Sequence, residues 1–222
     1  MQLRYLGHAA AHLTVGGAAI YVDPFLTGNP LAPPGAADLP CDFVLLSHYH
    51  SDHLGDTVEL AKRNQATVLT TNEIALELQS QGVQAVGMHI GGHKDFPFGH
   101  LKLVLAQHGS GISGGLAAGF VVGSEGKKVY FAGDTALYSD MKLLRQLWGP
   151  IDLALLPIGS HYTMDAKDAQ VAVEWIDPTY VIPIHYDTFP AIEADGEAFK
   201  RAVESTGRSH VVLLAPGATF DL

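Results

Sequence analysis

The sequence has one cysteine, Cys41, and no long hydrophobic run. A single cysteine cannot form an intramolecular disulfide, so nothing in the sequence indicates an oxidising compartment. No apolar run approaches the roughly 20 residues that a membrane-spanning helix needs. The N-terminus also lacks the basic segment and apolar core of a signal peptide. We therefore expect a soluble cytoplasmic protein.

Basic residues are scarce as well. The chain has 13 Lys and Arg against 23 Asp and Glu, which gives a formal net charge of −10. Tight non-specific binding to nucleic acid depends on neutralising phosphates, so this charge argues against a nucleic-acid partner. The length and the 47% hydrophobic content fit one large α/β domain over residues 1–222. We expect a small-molecule substrate and no membrane partner, and the sequence leaves a homo-oligomer open.

What the sequence does contain is a dense group of metal-binding side chains at residues 47–56. The four donors in this stretch are His48, His50, Asp52 and His53. An apolar run at 42–46 precedes them and an amphipathic segment at 57–64 follows, which predicts a turn between a strand and a helix. Neutral imidazole and carboxylate are the usual ligands of zinc and of iron or manganese. The density and the context favour a metal site over a histidine-rich surface loop.

The spacing His-x-His-x-Asp-His resembles the metal-binding signature of the metallo-β-lactamase superfamily. That superfamily places three more ligands downstream, a His, an Asp and a final His, each at the end of a strand. The sequence offers His108, Asp134 and His185 in that order, each after an apolar run. The resemblance covers most of the chain, from the first strand to His185. It implies an α/β (α+β) fold, the four-layer αββα sandwich, with the metals at one edge between two sheets.

The resemblance also implies how the ligands are divided. His48, His50 and His108 would hold one metal, Asp52, His53 and His185 would hold the second, and Asp134 would bridge them. This gives two divalent ions per chain, with zinc as the first choice and manganese, iron or nickel as alternatives. Asp134 stands where the commonest zinc β-lactamases have Cys, so a β-lactamase is not expected. His50 stands where the flavodiiron oxidoreductases tend to have a carboxylate, which argues against that branch.

Two divalent ions that share a hydroxide can clamp both the attacking and the leaving oxygen of a hydrolysis. We therefore expect a metal-dependent hydrolase that uses a metal-bridging hydroxide on a lactone, ester or thioester of a small metabolite. Asp52 is the candidate for accepting or returning the proton. His161 follows a strand of the second half and is either a catalytic residue that contacts substrate or a surface-loop histidine. The alternatives are a phosphodiesterase, a mono-iron oxidoreductase of the sulfur dioxygenase type, and a metal-stabilised binding protein without turnover.

Two further residues follow strands of the first half. Asp23 is either a turn-forming aspartate or, as the resemblance implies, a hydrogen-bond partner that fixes the tautomer of a ligand histidine. His8 follows Gly7 and is either a core or turn histidine or part of a Gly-His pair. That pair resembles the branch of the superfamily that contains ascorbate-phosphate lactonase.

Three histidine-rich or glycine-rich stretches lie outside the ligand motif. Residues 26–40 are rich in Pro, Gly and Ala and form either a wall or lid over the metals or a plain surface excursion. The glycine-rich stretch 109–115 is expected to let the backbone come close to the metal site. His89, His93 and His100 fit no ligand spacing and are predicted to be exposed loop histidines.

Overall fold

The computed structural model describes all residues, 1–222, and contains two seven-stranded sheets. The strands of the first sheet are β1 Gln2–Gly7, β2 Ala10–Val15, β3 Ala18–Val22, β4 Phe43–Leu45, β5 Thr67–Thr71, β6 Ala85–Met88 and β14 Thr219–Asp221. Those of the second are β7 His93–Phe96, β8 Gly99–Leu105, β9 Ala118–Ser124, β10 Lys127–Phe131, β11 Leu153–Pro157, β12 Tyr180–Ile184 and β13 His210–Val211. The sheet orders are β14-β1-β2-β3-β4-β5-β6 and β13-β12-β11-β10-β9-β8-β7.

Six α-helices accompany the sheets. They are α1 Ser51–Leu54, α2 Thr57–Asn64, α3 Asn72–Ser80, α4 Lys142–Trp148, α5 Ala166–Ile176 and α6 Gly196–Glu204. The longest, α5, has 11 residues, and none of the six is long and apolar enough to cross a membrane.

The alternation of side chains along the strands creates the layers. In β11, Leu153 and Leu155 face the core between the two sheets, whereas Ala154 and Leu156 face a second core beneath α4, α5 and α6. This follows from the period of two along a strand. A third core joins α2 and α3 to the outer face of the first sheet. The four-layer αββα sandwich that the resemblance implies is thereby confirmed.

The helix predicted over 57–64 has the observed bounds. The loop predicted around His89, His93 and His100 is wrong in part, because His93 lies in β7 and His100 in β8, and these strands pair. The short strand β7 is polar and exposed along most of its length. Its sequence therefore lacks the apolar alternation that would have indicated a strand.

The parallel strands place the predicted ligands at one edge. β3, β4 and β5 run parallel in the first sheet, and β10, β11 and β12 run parallel in the second. The carboxyl ends of parallel strands meet at the same edge of a sheet, where α/β proteins bind their ligands. His48 follows β4, Asp134 follows β10, and His185 comes directly after β12.

Candidate metal centre

A cleft of about 500 Å³ opens at this edge between the two sheets. Five of the seven predicted ligands line it: His50, Asp52, His108, Asp134 and His185. The other two, His48 and His53, are fully buried behind them. His48 and His185, which are 137 positions apart in the chain, therefore lie in the same cluster.

The carboxylate of Asp134 lies at the middle of the cluster. Its Oδ2 atom is 3.1 Å from His185 Nε2, 3.6 Å from His108 Nε2 and 4.0 Å from His48 Nε2. Its Oδ1 atom is 3.2 Å from His53 Nε2. Asp134 thus faces histidines of both predicted ligand sets, which is the position that a bridging ligand requires.

The donor atoms fall into groups with the dimensions of metal sites. The nitrogens of His48, His50 and His108 lie within 4.8 Å of one another, and these are the three residues of the first predicted set. One atom each of Asp52, His53 and His185 forms a second such group, and His8 belongs to it as well. His8 therefore lies beside the second set, a proximity that the spacing of the sequence did not indicate.

Unpaired buried atoms test whether these residues fit a metal. His48 Nε2, His53 Nε2, His185 Nε2 and Asp134 Oδ1 are buried and have no hydrogen-bond partner. Buried polar atoms are ordinarily paired, because an unpaired one loses its hydration without compensation. All four atoms belong to the cluster, and all are of the types that bind zinc, iron or manganese. The residues present therefore fit a divalent metal centre.

A buried network behind the cluster fixes the orientation of two histidines. Asp23 Oδ2 accepts a hydrogen bond from His53 Nδ1 at 2.8 Å and one from Ser47 Oγ at 2.6 Å. Ser47 Oγ also lies 2.9 Å from His48 Nδ1, and since its own proton goes to Asp23, His48 Nδ1–H donates to it. Both imidazoles therefore turn Nε2 toward the cleft. The hydrogen bond from a ligand histidine to Asp23, which the resemblance implied, is present, whereas the role of Ser47 was not predicted.

A second network holds Asp52. His8 Nε2 lies 3.2 Å from Asp52 Oδ2, and His8 Nδ1 lies 2.9 Å from Thr188 Oγ1. Burial lowers the pKa of His8 to about 4, so its imidazole is neutral and carries one N–H. That N–H faces the carboxylate, which can only accept, and Thr188 then donates to Nδ1. His8 thus orients Asp52 from a position 44 residues earlier in the chain.

The pKa values divide the histidines into two kinds. Burial lowers the pKa of His48 to about 2 and also lowers that of His108, so both are neutral. Burial also acts against the charged form of His53 and His185, but nearby carboxylates outweigh it. Asp134 and Asp23 raise the pKa of His53 well above its usual value, and Asp134 raises that of His185 to about 9. Both imidazoles therefore favour the protonated form beside these carboxylates.

The two carboxylates respond in the opposite direction. Burial by itself would raise the pKa of Asp52, but the nearby imidazole of His185 and the hydrogen bond from His8 hold it well below its usual range. The pKa of Asp134 is likewise lowered despite complete burial, because His53 and His185 lie beside it. Both side chains are therefore ionised at neutral pH and available as metal ligands.

Two glycines permit the close approach of loops to the cluster. A Cβ atom on Gly111 would lie 2.7 Å from the backbone nitrogen of His50, and one on Gly159 would lie 2.0 Å from the His185 carbonyl oxygen. A side chain at either position would displace a predicted ligand. The expectation that the stretch 109–115 brings backbone close to the site holds at Gly111.

The structure does not bring every predicted residue into the cleft. His161 is exposed and packs against the ring of Tyr162, and Tyr162 lines the cleft in its place. No residue of the loop 26–40 lines the cleft, although Phe25, just before it, does. That loop instead packs Leu26 and Ala36 into the core under the first sheet, so it is a surface excursion rather than a lid.

The walls of the cleft include residues that sequence reasoning missed. They are Phe25, Tyr162, Phe189 and Ile192, together with Ser51. No spacing or motif marked the first four, which lie in the connections that follow β3, β11 and β12, whereas Ser51 begins α1 inside the ligand stretch. Their position next to a strand end is the one signal that was available.

Comparison with known proteins agrees with this architecture. The beta-lactamase superfamily domain family matches residues 19–186. A UPF0173 metal-dependent hydrolase of Symbiobacterium thermophilum is 50% identical over 224 residues, covering 100% of both chains. Another from Thermus thermophilus is 47% identical over 227 residues, covering 100% of this chain and 99% of the relative.

A solved structure is similar over the same length. Igni18, a novel metallo hydrolase from the hyperthermophilic archaeon Ignicoccus hospitalis, matches with a TM-score of 0.93 at 38% identity. The match covers 100% of this chain and 98% of Igni18. This chain therefore belongs to the beta-lactamase superfamily domain family, in the same group as the UPF0173 proteins.

Proposed function

We propose that this protein is a dinuclear metal-dependent hydrolase that acts on the lactone, ester or thioester of a small metabolite. The observation that carries the proposal is the convergence of His48, His50, His108, Asp52, His53, His185 and Asp134 on one cleft. The family membership supports it, since relatives with nearly half the sequence in common are called metal-dependent hydrolases. The cleft volume of about 500 Å³ suits a small molecule.

The chain's own residues supply binding, orientation and proton transfer. Bound divalent ions would supply Lewis acidity and lower the pKa of a coordinated water to about 7. Asp52 is ionised and lines the cleft, so it is placed to accept a proton and to return it to the leaving group. His8 holds its carboxylate through Oδ2. Asp23 and Ser47 keep the Nε2 atoms of His53 and His48 directed toward the metals.

A substrate screen on metal-analysed protein tests the proposal. The panel contains neutral lactones, carboxylic esters, thioesters and phosphodiesters, each with protein reconstituted separately with zinc, manganese, iron and nickel. Turnover of a lactone, ester or thioester supports the proposal. Turnover of phosphodiesters alone, or oxygen consumption by a form with one iron, would replace it with one of the alternatives. The resemblance to the branch that contains ascorbate-phosphate lactonase, which rests on Gly7 and His8, stays a prediction about the branch and carries no substrate to this chain.

We predict that each chain binds two divalent ions. The reason is that the cluster offers two groups of donor atoms, each compact enough for one ion, on either side of Asp134. Elemental analysis after reconstitution in excess metal and removal of free ions measures the number. A value of one or less per chain would contradict the dinuclear assignment.

We predict that the metal affinities of the first and second sites depend differently on pH. Coordination through Nε2 of His185 requires the loss of a proton that the metal-free protein holds up to a pKa of about 9. The affinity of the second site should therefore rise at least about tenfold per pH unit from about pH 6 to pH 8 and level off above about pH 9. The first site should change less, since His48 and His108 are already neutral. Chelator competition at several pH values measures both affinities, and equal slopes would contradict the assignment of His185 to the second site.

A further inference from the structure

The cleft around the predicted ligands contains no lysine and no arginine among its 11 lining residues, and its only basic groups are the histidines of the cluster. The sequence explains this, because the segments 5–61, 103–126, 129–141, 146–166 and 168–199, which carry every lining residue, contain no Lys or Arg. A negatively charged group on a substrate, if it lay away from the metal ions, would therefore meet no counter-charge.

Acidic residues flank the same cleft. Phe189 and Ile192 reach its wall from the segment that follows β12, and this segment also carries Asp187, Glu193 and Asp195. These three acidic residues are exposed and line a shallow depression beside the cleft. Carboxylates near a cleft lower the local concentration of anions. This acidic segment therefore disfavours substrates with a free carboxylate or phosphate.

One wall of the cleft is apolar and aromatic. The ring centroids of Phe25 and Phe189 are 6.5 Å apart, and each lies 5.7 Å from the ring of His8. Ile192 extends this wall and is 1% exposed, whereas Phe189 is 39% exposed and open to a ligand. Because His8 contacts Asp52, the wall adjoins the side of the second predicted metal. An unpaired charge placed against such a surface loses hydration without compensation.

From these three observations we infer the substrate class, on the basis of the proposed hydrolase function. The cleft binds an ester, thioester or lactone whose portion outside the scissile group is apolar and carries no negative charge. The polar scissile group would lie at the predicted ligand cluster, where bound metal ions would polarise it, and the wall formed by Phe25, Phe189 and Ile192 takes a phenyl ring or a short alkyl chain. Phosphorylated and carboxylated metabolites are excluded as good substrates, even though the metals themselves attract anions.

A matched pair of metal-binding ligands tests this inference without turnover. Phenylacetohydroxamate binds metal ions through its hydroxamate, so its ring is left to face the walls. Its para-carboxylate derivative differs only by the charge. Calorimetry with metal-loaded protein should show that the neutral ligand binds at least about tenfold tighter. Equal or tighter binding of the carboxylate, or no measurable binding of the neutral ligand, would overturn the inference.

A change at Phe189 tests whether the wall is responsible. Phe189→Lys places an ammonium group at a partly exposed position. It should weaken binding of the neutral ligand and strengthen binding of the para-carboxylate derivative, each by several-fold. Phe189→Met is the matched control, because it is similar in length and uncharged, and it should keep the preference for the neutral ligand. If Phe189→Lys leaves the ratio of the two affinities unchanged, the aromatic wall does not select the substrate.

Turnover separates this inference from the proposed function. Phenyl acetate and its para-carboxylate derivative are offered to the same metal-loaded protein alongside the substrate screen. Faster hydrolysis of the neutral ester supports both the hydrolase and the substrate class. Equal hydrolysis of the two supports the hydrolase and overturns the substrate class. Absence of all hydrolysis across the screen overturns the hydrolase, while the hydroxamate affinities still decide what the cleft accepts.

Discussion

Changing His48 or His50 to alanine is expected to lower kcat/KM by more than about 100-fold and to leave one bound ion per chain in place of two. Loss of residues that merely orient a metal ligand costs about 10–100-fold in affinity or activity, and loss of a ligand itself should cost more. Both imidazoles belong to the donor group that also contains His108. Metal content and kcat/KM, measured on the same preparation, check the expectation.

The two variants differ in their effect on the fold, which makes the comparison decisive. His48 is fully buried and bonded to Ser47, so His48→Ala should also lower the free energy of unfolding by about 1–3 kcal/mol. His50 is only partly buried, so His50→Ala should unfold close to the wild type. His89→Ala serves as the control, because that histidine is exposed and outside the cleft. Turnover within a few-fold of the wild type in a folded His50→Ala protein would show that the first site is misplaced.

Asp52→Asn is expected to lose far more activity than metal. As a ligand, Asp52 is one donor among several, and an amide oxygen can partly replace the carboxylate oxygen. As a proton carrier it is irreplaceable, because an amide neither accepts nor returns a proton near neutral pH. Groups positioned for acid–base catalysis contribute about 10²–10⁴-fold, so kcat should fall by that factor at saturating metal.

A titration with metal distinguishes these two roles of Asp52. The variant should keep the first ion and bind the second more weakly, since its side chain stands beside His53 and His185 in that donor group. Asp168→Asn, at an exposed position of α5, is the control for the substitution itself. Recovery of near-normal kcat in excess metal would make Asp52 a ligand only. The proton would then have to move through another group of the cleft or through bulk water.

Part of the architecture could be read from local patterns. The amphipathic segment at 57–64 is a helix with the predicted bounds, because burial on one face imposes a helical period on the sequence itself. The strand β7 was not predicted, because its polar, exposed residues lack apolar alternation. Its extended conformation depends on hydrogen bonding to β8.

The sequence, through its resemblance to the metallo-β-lactamase superfamily, determined the order and types of the predicted ligands, from His48 to His185. That was possible because ligand chemistry restricts residue type, and strand ends restrict position. Only the tertiary structure decided which other side chains meet them. His8 reaches Asp52 and Thr188, and Tyr162 rather than His161 lines the cleft. These contacts join residues as much as 180 positions apart, and their geometry follows from how two sheets pack, which no local period in the chain records.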